Sequence, residues 1–408
     1  MITVKPFKAI RPTRDKAYLL ASRSYVSYSE KRLFHKLNNN PFTFLHVINP
    51  DYHSETKLEG DAKYEAVRAK FNEFAHLGYF TEEEKPAFYI YQQQAENHVF
   101  TGIIGATSVK DYREGRIKVH EHTLTQREEM FVNYLAKTGF NAEPVLLMHK
   151  PLISISQIKS KYMDQRAEYE FTSTDKVLHL LWPITQEEDV KAIEDGFKQL
   201  DAVYIADGHH RCSSSAGLAE RLNREGDTPD KYFMSFLMPE TTIKIHSFNR
   251  LVRDLNGMNA DEFIEKLEEH FYVRPKTDDL YDPWDLHEMS MYLNGYWYSL
   301  FVKPGLYNPE DSVDSLDCEI LSRQLLDPIL GITDLKTDKR IDFLPGNTRA
   351  KGLKEAVDSG EYIVGFGLHA IGADQLKRVA DEGKFMPPKS TYIEPKLRSG
   401  LTIYNLEK

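Results

Sequence analysis

Asp207-Gly208-His209-His210-Arg211 is the stretch whose residue types and spacing point most directly at chemistry. Val203, Tyr204 and Ile205 before it are β-branched or aromatic and suit a short buried strand. Asp207 and Gly208 form a turn dipeptide. Cys212, Ala216 and Ala219, with Leu222 close by, then recur at helical spacing until Gly226 offers a stop. Three potentially cationic side chains, His209, His210 and Arg211, therefore sit on the first turn of a helix. A helix start carries partial positive charge and favours anions by about 0.3–1 kcal/mol each at exposed sites, so cations there need a negative partner. Free N–H groups, a glycine that admits close approach and a basic cluster together describe a phosphate or carboxylate site. The plainer alternative has Asp207 capping the helix and pairing with Arg211, with both histidines on the surface.

Other polar groupings give weaker signals. His120-Glu121-His122 precedes a helix, and an extended backbone there puts both histidines on one side and Glu121 on the other. The His-Glu-x-x-His zinc spacing is absent. Glu121 suits a general base for a hydroxyl or a magnesium ligand, with an exposed carboxylate of no special role as the alternative. Lys389-Ser-Thr ends like a P-loop but lacks its glycines, which leaves Lys389 as a phosphate contact at most. Gly365-Phe-Gly367 follows a strand, yet too little chain remains for a dinucleotide fold, and the stretch reads as structural. Ser213 to Ser215 do not fit the Gly-x-Ser-x-Gly pattern of a serine hydrolase.

The elements that must position these groups follow from the whole chain. Its 408 residues are 41% hydrophobic and 28% charged, an ordinary soluble composition long enough for two domains. A net charge of −10 argues against nucleic acid as a partner. Two cysteines, no signal pattern and no apolar run near the ~20 residues of a membrane helix lead us to expect a cytoplasmic protein. Strands are expected at Phe42 to Ile48, Phe88 to Gln92, Phe100 to Val109, Ile117 to Thr123, Val145 to Met148 and Val177 to Ile184. A helix with Tyr64, Val67, Phe71 and Phe74 on one face ends at Gly78, and another opens with a Thr125/Glu128 capping box and ends at Gly139. Further on, 233–238 and 241–245 resemble a strand pair, and Asn259 with Glu262 opens a helix. This alternation predicts an α/β (α+β) protein with a soft boundary near Phe248, giving residues 1–247 with the motif and residues 248–408 as a C-terminal α/β elaboration.

Four stretches resemble one bacterial and archaeal family long filed as a domain of unknown function. They are Phe7-Lys-Ala-Ile-Arg-Pro12, Ile117-Lys-Val-His-Glu-His-Thr123, Tyr204-Ile-Ala-Asp-Gly-His-His-Arg211, and Met386-Pro-Pro-Lys-Ser-Thr-Tyr392 continuing through Pro395-Lys-Leu-Arg-Ser-Gly-Leu401. The Asp-Gly-His-His-Arg motif also resembles that of small free-serine kinases of the ParB/sulfiredoxin-like superfamily. That resemblance implies a ParB/sulfiredoxin-like core, a nucleotide phosphate on the turn, and phosphorylation of free L-serine to O-phosphoserine with ATP or ADP as donor and Mg²⁺ as cofactor. Asp207, His209, His210 and Arg211 match the motif directly, whereas Cys212 departs from it, standing where many relatives have an aromatic residue. Carried over, Asp207 holds Mg²⁺ or orients a phosphate, and Gly208, His209, His210 and Arg211 cradle the transferred group. Glu121, upstream in a polar cluster, takes the place of the acid that accepts the serine proton. The alternatives are a nucleotide-binding regulator with the same pocket and no catalysis, and a non-enzymatic interaction protein.

Overall fold

A computed structural model describes residues 1–54, 56–96 and 98–407, the side chains of Val26 and His53 apart. The chain is mixed α/β and divides into two units. The first unit holds residues 1–118, 122–243 and 395–408, and the second holds 119–121 and 244–394.

The first unit is built on a nine-stranded mixed sheet. Its strands are β1 (Val4–Lys5), β2 (Phe88–Ala95), β3 (His98–Ser108), β4 (Ile117–Lys118), β5 (Val145–His149), β6 (Tyr169–Thr172), β7 (Leu178–Ile184), β8 (Val203–Asp207) and β9 (Tyr232–Pro239). They lie in the order β4-β8-β5-β9-β3-β2-β7-β6, with β1 also on β3. β8 runs antiparallel to β5 and parallel to β4. β5 and β9 are near-continuous apolar runs because they are interior strands buried on both faces, whereas β2 is apolar over Phe88–Tyr91 and then carries the buried Gln92 and Gln93. The helices of this unit include α1 (Glu30–Asn39), α2 (Gly60–His76), α3 (Thr125–Thr138), α4 (Glu187–Lys198) and α5 (His209–Leu222). Phe44, Phe71, Phe74, Phe80 and Phe140 fill an aromatic core with Val67 and Ile403. Gly217 of α5 sits so close to α3 that a Cβ there would lie 2.8 Å from Val132 Cγ2.

The second unit has a seven-stranded sheet: β10 (Lys244–Val252), β11 (Phe271–Lys276), β12 (Glu288–Leu293), β13 (Tyr296–Val302), β14 (Ile341–Pro345), β15 (Val364–Leu368) and β16 (Thr391–Glu394). The order is β11-β13-β12-β15-β10-β14, with β16 on β10. Helices α6 (Ala260–His270), α7 (Arg349–Asp358) and α8 (Ala373–Asp381) accompany it. α6 opens with the expected Asn259/Glu262 capping box.

Several local expectations are corrected. Phe42 to Ile48 is no strand: Leu45–Ile48 is a helical turn, and Phe44 and Val47, three apart, both enter the aromatic core. The period of three outweighs the β-forming residue types. Only Ile117–Lys118 of the expected 117–123 strand is paired. The Thr125/Glu128 capping box does not form; Thr125 is already helical, and Thr123 Oγ1 donates to Glu128. β9 and β10 do not pair with each other, since β9 lies between β3 and β5 in the first unit's sheet. α5 ends at Asn223, itself left-handed at φ +41°, before Gly226 is reached.

Candidate functional site

β8 delivers Asp207 to the turn, with Val203 and Ile205 fully buried beneath it. The register against β5 shifts between Ile205 and Asp207, a bulge beyond which Asp207 still pairs with Leu146. Gly208 follows at φ +104°, a conformation that L side chains rarely adopt. A Cβ on it would lie 2.9 Å from both Nε and Nη2 of Arg211, because that guanidinium folds back over the turn. The first helical bond, Cys212 N–H to Gly208 C=O, is 3.0 Å, and no side chain caps the helix. Asp207 therefore does not act as its cap.

Arg211 donates through Nη1 to Glu143 and lies 3.7 Å through Nη2 from Asp207 Oδ2. Burial opposes its charge, but Glu143 and Asp207 more than restore it and raise its pKa. Lys396 Nζ is 3.6 Å from the same Asp207 oxygen, and Ser399 Oγ donates to Glu143 Oε2 at 3.0 Å. Asp207 thus sits between two cations at a partly exposed strand end. This is one hard oxygen donor, which fits a magnesium ion carried in with phosphate oxygens and waters rather than an all-protein cage. Among the described residues, no group of three or more His, Cys, Asp or Glu is arranged to hold a metal ion.

His209 is buried, and burial, then His210, lowers its pKa to about 3, so its imidazole is neutral at pH 7. His210 stacks on Phe131 with centroids 6.5 Å apart, and its buried Nδ1 has no hydrogen-bond partner among the described residues. Burial, then Arg127, holds its pKa down. Cys212 is fully buried, and its thiol pKa is raised well above the ordinary value by burial. Ser213, Ser214 and Ser215 donate back to carbonyls of His210 and Arg211, as helical serines do.

The five motif residues are thus together, joined by Glu143, Lys396 and Ser399, which sequence reasoning missed as site residues. Glu121 and Lys389 belong to the second unit. Glu121 is half-buried, and the neighbouring His120 C=O accepts from Met386 N at 2.8 Å. His120 is fully buried while His122 is exposed, so the two histidines do not share one side as expected. Lys389 is exposed, left-handed at φ +57°, with Nζ 5.2 Å from the Phe248 ring centroid.

This arrangement defines a mixed α/β protein bearing a strand–glycine–helix turn. Residues 4–319 match the family described as "Protein of unknown function (DUF1015)", and the chain belongs to that family. No curated protein matches it. Similar solved structures include a free serine kinase in complex with AMP, 13% identical, covering 72% of this chain and 88% of the other at a TM-score of 0.38. Others are a conserved hypothetical protein from Pyrococcus furiosus (14% identical; 72% and 92% covered; TM-score 0.35) and SbnI with C-terminal truncation from Staphylococcus aureus (12%; 74% and 87%; 0.40). Backbones that superpose this loosely carry neither a ligand nor a residue's role across. Among the described residues no helix is long and apolar enough to cross a membrane.

Proposed function

We propose that this chain is a nucleotide-dependent phosphotransferase that phosphorylates the hydroxyl of a small free acceptor, with L-serine as first candidate and O-phosphoserine as product. The observation that carries the reading is the turn at Gly208. It opens an uncapped helix under a folded-back guanidinium, beside a carboxylate flanked by Arg211 and Lys396. The likeness of Asp207-Gly-His-His-Arg211 to the free-serine-kinase motif supports the same reading.

Phosphoryl transfer demands positioning and charge neutralisation more than covalent help from the protein. The N–H groups of Gly208 and His209, with His210 and Arg211, hold the oxygens of the transferred group. His209, buried and neutral at pH 7, adds no charge there. Magnesium, held by Asp207 and the phosphates of ATP or ADP, supplies charge neutralisation when bound. Glu121 accepts the acceptor's proton as its oxygen bonds to phosphorus and the bond to the donor's bridging oxygen breaks. Arg211, tied to Glu143, positions Asp207 as well as the phosphate.

Titration calorimetry with ADP and ATP, with and without Mg²⁺, tests the nucleotide half of this reading. Chromatographic detection of O-phosphoserine from L-serine tests the chemistry. Nucleotide binding with no turnover on any hydroxy amino acid would favour a regulator, and no binding at all would overturn both.

A further inference from the structure

A second cluster of cations lies in the first unit, along the segment that supplies Lys396 to Asp207. Arg398 is 7% exposed, and its Nη2 donates to Asp175 Oδ1 at 2.6 Å and to Ser173 Oγ at 3.0 Å. Arg23 Nη2 meets the other oxygen of Asp175 at 2.5 Å. Two guanidiniums thus share one carboxylate. Burial opposes ionisation of Asp175, but the Ser173 hydroxyl and both arginines hold its carboxyl below the ordinary range. Lys36 on α1 donates to Thr174 Oγ1 at 3.2 Å, and its pKa is lowered by burial and by Arg32, Arg398 and Arg23, with Asp175 alone opposing. The cluster therefore has more positive charge than its one carboxylate balances.

Its hydrogen bonds are also incomplete. Arg398 Nε, Arg23 Nε and Ser22 Oγ are buried with no partner among the described residues. Ser22 and Ser399 exchange backbone hydrogen bonds of 3.2 and 2.7 Å, which sets the orphaned groups side by side. Buried donors left unsatisfied cost free energy, about 1–3 kcal/mol each, and native proteins rarely leave several together. Arg23 remains 37% exposed along its side chain, so a ligand can reach the cluster from solvent. Lys396 and Arg398 are two residues apart, so their backbones are at most about 7 Å from each other.

We infer that Arg398 and Arg23, backed by Lys36, form an oxyanion subsite beside the Asp207 turn that takes the carboxylate of an α-amino acid acceptor. This rests on the phosphotransferase reading, and it names how the acceptor is recognised. A planar carboxylate matches the flat guanidinium edge and fills the orphaned Nε positions. A nucleotide phosphate is the other oxyanion of suitable charge, and the test separates the two.

The full chain is titrated with L-serine, L-serinamide and ADP, each alone and serine also with ADP present, in wild type, Arg398→Met and Arg23→Met. Serine affinity should fall about ten- to hundredfold in both variants, the worth of a hydrogen bond to a charged group. ADP affinity should stay within about twofold. L-serinamide, which lacks the carboxylate, should bind wild type as weakly as serine binds the variants. A drop in ADP affinity with serine unchanged assigns the subsite to phosphate and overturns the inference. Serine affinity unchanged in Arg23→Met, or a wild type that binds no serine with or without ADP, overturns it as well. Arg23→Met decides if Arg398→Met fails to fold. Failure of the kinase reading looks different: no ADP binding and no phosphoserine, with arginine-dependent serine binding intact.

Discussion

Gly208→Ala tests the turn on which the proposed site depends. Two costs add at this position. The alanine must hold φ near +104°, which costs about 1–2 kcal/mol for an L residue. Its Cβ also falls 2.9 Å from Nε and Nη2 of Arg211, so the guanidinium must leave its place between Glu143 and Asp207. Losing that charged hydrogen bond adds about 1.5–3 kcal/mol when Glu143 finds no replacement. Gly226→Ala is the matched control. Gly226 has φ +75° with nothing within 4 Å of an added Cβ, so it reports backbone strain alone. Urea unfolding should show Gly208→Ala less stable than Gly226→Ala by at least about 1 kcal/mol. ADP affinity should fall at least about tenfold in Gly208→Ala and stay level in the control. Equal stability losses with wild-type ADP affinity in both would refute the claim that the guanidinium over Gly208 organises the site.

Three further outcomes are expected. Glu121→Gln should leave ADP binding intact and cut serine phosphorylation by about 10²-fold or more, and wild-type turnover would move the general base to Asp207. His149, His179 and His209 are all buried, with pKa values lowered to about 4, 3 and 3, so each stays neutral in the fold but takes a proton in the unfolded chain below about pH 6.5. Their stabilisation is full above that pH and is lost as pH falls towards 3 to 4, by up to about 1.4 kcal/mol per unit for each, so His149→Gln should flatten the fall in urea stability between pH 6.5 and 4.5. Elemental analysis should find no stoichiometric zinc, and phosphotransfer should depend on Mg²⁺; zinc that disappears in His120→Ala would contradict the oxygen-ligand reading.

Local patterns were legible in the sequence where one element carries its own signal. The run from Val203 to Leu222 declares its strand, turn and helix, because burial alternation, a Gly turn and helical spacing all lie within twenty consecutive positions. The aromatic face of α2 was visible for the same reason. What completes the motif was not visible. Glu143 lies 68 residues from Arg211, Ser399 lies 256 from Glu143, and Arg398 lies 223 from Asp175. Strand order brings such partners together, and no periodicity encodes strand order. The fate of the two histidines around Glu121 was hidden likewise, since His120 is buried by non-local packing that one side of an extended segment cannot reveal.

The return of residues 395–408 to the first unit bears on how the protein is made. Ile403 exchanges backbone hydrogen bonds with Ile10, Tyr404 pairs with Asn141, and Lys396, Arg398 and Ser399 reach Asp207, Asp175 and Glu143. During synthesis, the unit that starts first must therefore wait through all of residues 244–394 before its last pieces emerge from the ribosome. A chain that stopped at Ile243 would leave Asp207 without its lysine and Asp175 without Arg398. The contacts of Lys396, Arg398 and Ser399 with Asp207, Asp175 and Glu143 are thus ones that only a chain translated past Ser399 acquires.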